Sequence, residues 1–83
     1  MSALASLAPG SRAIVARLPS SRRLASQLVS LGFTPGAEVI MIDNRRRGPV
    51  LVEVRGTRVA LGRNQALAVV VRPVEVARGG ASG

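Results

Sequence analysis

The side chains that carry most acid–base, nucleophilic and metal chemistry are missing or scarce in this chain. It has no histidine and no cysteine, and only four carboxylates, Glu38, Asp43, Glu53 and Glu75. Without thiols no disulfide or thiolate metal site can form, and without imidazole the commonest metal ligand and general base is absent. A hard cation would have to be held by the scattered carboxylates and backbone carbonyls. What remains is guanidinium chemistry. All 12 basic residues are arginine and the formal net charge is +8. Arginine keeps its proton at neutral pH and grips carboxylates and phosphates through a planar fork. Two concentrations stand out, Arg22-Arg23 and Arg45-Arg46-Arg47. Such clusters fit recognition of an acidic protein face, an anionic lipid surface or nucleic acid. Arginine without lysine, alongside abundant alanine, glycine and valine, also fits a strong codon bias, and the sign of the charge is the same under either reading.

These clusters need a scaffold, and 83 residues provide one domain with a small core. The 47% hydrophobic content argues against disorder. The apolar run ending at Val71 is far shorter than the ~20 residues that cross a bilayer. The first residues, Met1–Leu7, lack the basic and apolar regions of a secretory signal, which makes a cytoplasmic location the expectation. Hydrolytic, metal-assisted and acid–base catalysis are the classes that this composition excludes first.

Pro9-Gly10 signals a turn that feeds a short apolar strand, Ser11–Ala16, ended by Leu18-Pro19. Ser20 or Ser21 can cap a helix whose Leu24, Leu28 and Leu31 recur on one face, widened by Ala25 and Val29. That stripe is expected to lie over the core. Gly32 falls where a left-handed residue ends a helix, and Phe33 can then fold back on Leu28. Arg22 and Arg23 sit in the first turn, where cations oppose the helix dipole. Thr34-Pro35-Gly36-Ala37 suits a type II turn.

Glu38–Asp43 reads as a second strand, 44–49 as a basic loop, and Val50–Arg55 as a third strand with alternating valines. Gly56-Thr57 suits a two-residue type II′ turn into a fourth strand, Arg58–Leu61. Residues 62–66 allow one helical turn at most, and Leu67–Arg72 forms the last strand, closed by Pro73. Short strands joined by tight turns predict a mainly β fold, a small five-stranded antiparallel barrel with an inserted helix. The expected domain spans 1–73, with 74–83 a glycine-rich flexible tail. A faint echo links Leu7-Ala8-Pro9-Gly10 to Phe33-Thr34-Pro35-Gly36, each leading into a strand. It reads as two strands that begin from similar turns.

In this order the residues resemble the FeoA family, the small partners of the bacterial ferrous iron transporter FeoB. Leu4, Leu7 and Gly10 match its opening. Leu24, Leu28, Leu31, Gly32, Pro35, Gly36 and Val39 match its central segment. Gly48-Pro49, Val54, Gly56, Ala60-Leu61, Ala66, Val69 and Val71 match its end. Gln27 replaces an arginine usual in the helix, and the arginine usual after Ala-Leu is Gly62 here, with Arg63 one place later. The resemblance implies a Src-homology-3-like barrel and a non-enzymatic, regulatory role in Fe²⁺ uptake without a cofactor. It also implies contact with the cytosolic domain of FeoB, and a cytoplasmic location that is peripheral to the inner membrane through that partner. Similar domains occur at the C-terminus of diphtheria-toxin-repressor-type metalloregulators, and this chain has the look of the stand-alone form. A loose metal-binding label attaches to the family, and no metal site is read in these residues.

Arg22, Arg23, Arg45, Arg46 and Arg47 are the candidate partner-binding residues. Leu24, Leu28, Leu31, Gly32, Pro35, Gly36 and Gly56 are the structural motif. A basic nucleic-acid-binding barrel, such as a ribosome-associated module, is the alternative from charge alone. It is disfavoured because stacking platforms need aromatic rings and the chain has a single Phe, no Trp and no Tyr. A self-associating domain using Leu51 and a barrel edge is the third reading.

Overall fold

Valines and other β-branched residues at alternating positions dictate where the sheet forms and which face it buries. The computed structural model describes residues 1–45 and 47–74. The expectations for Arg46 and for the tail beyond Val74 lie outside the described residues. Strands β1 (Ser2–Ala3), β2 (Arg12–Arg17), β3 (Glu38–Asp43), β4 (Val50–Val54), β5 (Thr57–Leu61) and β6 (Val70–Pro73) form one sheet in the order β1-β6-β2-β3-β4-β5. Every pairing is antiparallel. Helix α1 (Arg22–Ser30) lies between β2 and β3, and α2 (Arg63–Ala68) between β5 and β6. A turn of 3-10 helix, Leu4–Ser6, packs against α2.

Ala13 and Val15 of β2, Val39 and Met41 of β3, and Val50, Val52 and Val54 of β4 point inward and are buried. Leu4, Leu28, Phe33, Leu61, Val69 and Val71 join this core, as do Leu7 and three alanines, and it holds no buried polar or charged residue among those described. The register shifts between Val15 and Arg17 and between Met41 and Asp43. Such bulges sharpen the local bend, which lets a small sheet curl around its core. The fold is the small barrel with an inserted helix that the strand pattern predicts, of the Src-homology-3-like kind that the resemblance implies.

Four details differ from the sequence reading. The sheet has a sixth strand, because Ser2 and Ala3 pair with Val71 and Val70; two residues are too few for a visible alternation. The segment after β5 is a longer helix than one turn. Gln65 Oε1 accepts a hydrogen bond from the Gly62 N–H at 2.9 Å, one half of a capping box at the start of α2, which runs to Ala68. The last strand therefore starts at Val70, and Leu67 is 56% exposed. The β4–β5 turn is centred on Arg55 and Gly56, with φ of 52° and 79°. Positive values at both positions define a type I′ turn, whose twist matches the flanking strands.

The fourth difference is Leu31. It caps the C-terminus of α1 and is 40% exposed, as is Val29 at 44%. Of the α1 residues only Leu28 is fully buried, with Leu24 packed partly against the core. The reason lies in how the helix ends. Phe33 N–H donates to Leu28 C=O at 2.9 Å and Gly32 N–H to Val29 C=O at 2.9 Å, a Schellman ending. Gly32, at φ 106°, turns the chain sharply enough to drop Phe33 into the core. At this end of α1 the buried large side chain is Phe33, not Leu31.

The two Pro-Gly turns are related beyond their sequence. Ser11 N–H donates to Ala8 C=O at 3.0 Å, and Ala37 N–H to Thr34 C=O at 2.9 Å. Gly10 and Gly36, at φ 88° and 91°, take equivalent places in these turns. Each turn then clasps the opposite strand. Gly10 N–H donates to Met41 C=O and Met41 N–H to Ser11 C=O, while Gly36 N–H donates to Val15 C=O and Val15 N–H to Ala37 C=O. A local two-fold axis through the Ala13–Val39 pair relates the two ends of the β2–β3 ladder.

A candidate anion-recognition surface

Arginine dominates the charged side chains on the surface of this barrel, and what distinguishes one arginine from another is how its fork is already occupied. Arg63, the first residue of α2, turns toward the loop between β3 and β4. Its Nε donates to Gly48 C=O at 3.2 Å and its Nη2 to Asn44 Oδ1 at 3.1 Å, with a further contact from Nη2 to Arg45 C=O. Asn44 in turn donates through Nδ2 to Ala5 C=O at 2.8 Å and Leu7 C=O at 2.7 Å. This chain of bonds fastens the basic loop to α2 and to the 3-10 turn. Arg45 and Arg47 are presented outward from it, Arg45 meeting Asp43 at 3.4 Å with 82% of its side chain exposed.

At the far end of β4, Arg55 plays a corresponding part. Its Nε donates to Gly32 C=O at 3.3 Å and its Nη2 to Thr34 Oγ1 at 2.7 Å. A cation at a helix C-terminus also complements the dipole. A shallow groove opens beside it, lined in part by Glu38, Ile40, Glu53 and Arg55. Mixed charge on its rim does not mark it as a site for one class of small molecule.

Arg22 and Arg23 occupy the first turn of α1, which Ser21 caps by accepting from Leu24 N–H at 3.3 Å. Both are exposed and, among the described residues, neither they nor Arg47 meets a carboxylate. The remaining ion pairs, Arg12–Glu38 at 3.8 Å and Arg58–Glu53 at 3.9 Å, are loose and solvent-exposed. Pairs of that kind contribute roughly 0–1 kcal/mol.

The two predicted clusters lie on separate elements, Arg22 and Arg23 at the start of α1 and the basic loop between β3 and β4; among the described residues no ion pair or shared hydrogen-bond partner links them. Sequence reasoning missed Arg63, Asn44 and Arg55 as the residues that hold these surfaces in shape. For Arg63 the signal was its displacement by one position next to Gly62. For Arg55 it was an arginine beside a turn glycine. Asn44 gave no signal. Among the described residues no group of three or more His, Cys, Asp or Glu comes within reach of a common metal ion.

A small Src-homology-3-like barrel with a helical insert, exposing Arg22, Arg23, Arg45 and Arg47, is the class of domain these elements define. The FeoA domain model matches residues 3–73, and the chain belongs to the FeoA family. It is 31% identical over 66 residues to a candidate Fe(2+) transport protein A of Methanocaldococcus jannaschii, covering 80% of this chain and 79% of that one. The crystal structure of an iron uptake regulatory protein, FeoA, superposes with a TM-score of 0.82 at 34% identity, covering 86% of this chain and 95% of the other. FeoA of Stenotrophomonas maltophilia, crystallised in complex with zinc, is 34% identical with a TM-score of 0.71, covering 86% of this chain and 89% of its own. That protein is described as a prokaryotic SH3 domain protein and a candidate activating factor of ferrous iron transport.

Proposed function

We propose that this protein is a non-enzymatic accessory factor of ferrous iron uptake that works in the cytoplasm, at the inner membrane, by contact with the cytosolic domain of a FeoB-type transporter. The observation that carries this reading is the family match over residues 3–73 combined with the exposed Arg22, Arg23 and Arg47, which meet no carboxylate among the described residues. Arg22, Arg23 and the loop arginines Arg45, Arg46 and Arg47 are the contact residues in this reading, meeting carboxylates of the transporter. The names of the relatives, one a candidate Fe(2+) transport protein and one a candidate transport-activating factor, support the same role.

The test is charge reversal. R22E/R23E and R45E/R47E variants are compared with the parent in an iron-uptake complementation assay and in pulldown of the transporter's cytosolic domain. Loss of uptake and of capture, with an unchanged fold by circular dichroism, is expected. Uptake and capture equal to the parent in both variants overturn the reading.

A further inference from the structure

Strand β5 ends the sheet. It pairs with β4 alone, and among the described residues no backbone hydrogen bond reaches its outer side. The type I′ turn fixes which groups are left over. In a two-residue hairpin the residues flanking the turn, Val54 and Thr57, form a hydrogen-bonded pair, and such pairs recur at every second position. Val59 and Leu61 thus bond to Val52 and Val50, while Arg58 and Ala60 direct their N–H and C=O groups away from the sheet. Thr57, Arg58 and Ala60 are exposed. The β4–β5 ladder has no register shift and β5 no proline. The protections usual on an edge strand are therefore reduced to one charged residue, Arg58. The opposite edge, β1, is two residues long and offers no comparable template.

The charge along this edge selects its occupant. Arg58, its side chain 65% exposed and held only loosely by Glu53 at 3.9 Å, lies at the turn end. Arg47 and the loop held by Arg63 lie at the Leu61 end, where Val50 meets Leu61. A second copy of a chain with net charge +8 meets like charge there, whereas a strand carrying Asp or Glu finds a cation at both ends. We infer that the outer edge of β5 accepts an extended, carboxylate-bearing segment of a partner protein as an added strand. Main-chain bonds to Arg58 and Ala60 give the pairing and the flanking arginines give the preference for acidic sequence. Only the identity of the partner rests on the transporter reading; the edge itself does not.

The experiment measures amide hydrogen exchange residue by residue on the isotope-labelled full chain. The probes are two soluble peptides, Ac-EVEVEVE-NH2 and Ac-KVKVKVK-NH2, followed by the transporter's cytosolic domain. The acidic peptide slows exchange of the Arg58 and Ala60 amides about tenfold or more, while the basic peptide leaves them unchanged. A60P removes an outward N–H at a position where an edge strand tolerates proline, and it abolishes the effect. R58E, which keeps the strand intact, weakens the acidic peptide and admits the basic one. No protection at Arg58 and Ala60 with the acidic peptide overturns the inference. So does protection that arises from self-association alone, seen by sedimentation without peptide. Capture of the transporter domain with protection elsewhere overturns the edge as its contact and leaves the proposed function standing. Peptide pairing without any capture of the domain supports the edge and removes the transporter as its partner.

Discussion

Arg55 Nη2 donates to Thr34 Oγ1 at 2.7 Å, tying the tip of the β4–β5 hairpin to the turn that follows α1. The bond joins two segments remote in sequence, and it does so from a residue whose own backbone sits at φ 52°. Arginine seldom adopts that conformation, so the turn accepts a backbone cost and gains a brace on the helix end.

Replacing Arg55 with Asn separates the two effects. Asn is favoured in a type I′ turn, whereas the bonds to Gly32 and Thr34 are lost. Global stability by urea unfolding is expected to stay within about 1 kcal/mol of the parent. Amide exchange at Leu31, Gly32 and Phe33 is expected to quicken. A large global loss with unchanged exchange at those amides contradicts the assignment.

Arg63→Ala removes the bonds to Gly48, Asn44 and Arg45 together. A loss of about 1–2 kcal/mol in unfolding free energy is expected, since these bonds are charge-assisted but partly exposed. Relaxation of the backbone amides of Arg45, Arg47 and Gly48 is expected to show a more mobile loop. Arg63→Lys restores the charge without the planar fork and recovers only part of the ordering.

Leu28→Ala is expected to cost about 2–5 kcal/mol, because it opens a cavity at a fully buried position. Leu31→Ser, on an equivalent place of the periodic stripe but 40% exposed, is expected to cost less than about 1 kcal/mol. Paired thermal melts distinguish them. Equal losses contradict the division of roles between Leu31 and Phe33.

Arg22→Glu and Arg23→Glu place carboxylates at the first turn of α1, where they complement the dipole. Each is expected to stabilise the protein by about 0.3–1 kcal/mol at low ionic strength, an advantage that fades with added salt. Capture of the transporter domain is expected to weaken in the same variants. Stability and partner binding moving in opposite directions distinguishes a surface kept for contact from one kept for folding.

The sequence makes the barrel legible because its valines alternate and its turns carry Pro-Gly or a lone glycine, local signals that survive without tertiary context. The end of α1 is legible for the same reason, through Gly32 and Phe33. Its burial is not, since a periodic stripe specifies a face but not how much of the helix meets the core. The arginine clusters are visible by composition. The residues that hold them are invisible, because Asn44 and Arg63 act through contacts between segments far apart in the chain. The turn type at Gly56 is not legible, because Arg55 gives no hint of a left-handed backbone.

A tight turn sets the alignment of β4 with β5, but no tight turn connects β2 to β3. Residues 18–37, including all of α1, lie between them. The paired clasps at Gly10 and Gly36 take over that task. Sliding either strand by one position would turn its inward residues to solvent, and it would have to undo both fastenings at once. The middle seam of the barrel is thus a zip locked at each end, and its register is held by these two fastenings rather than by the length of the connection between them.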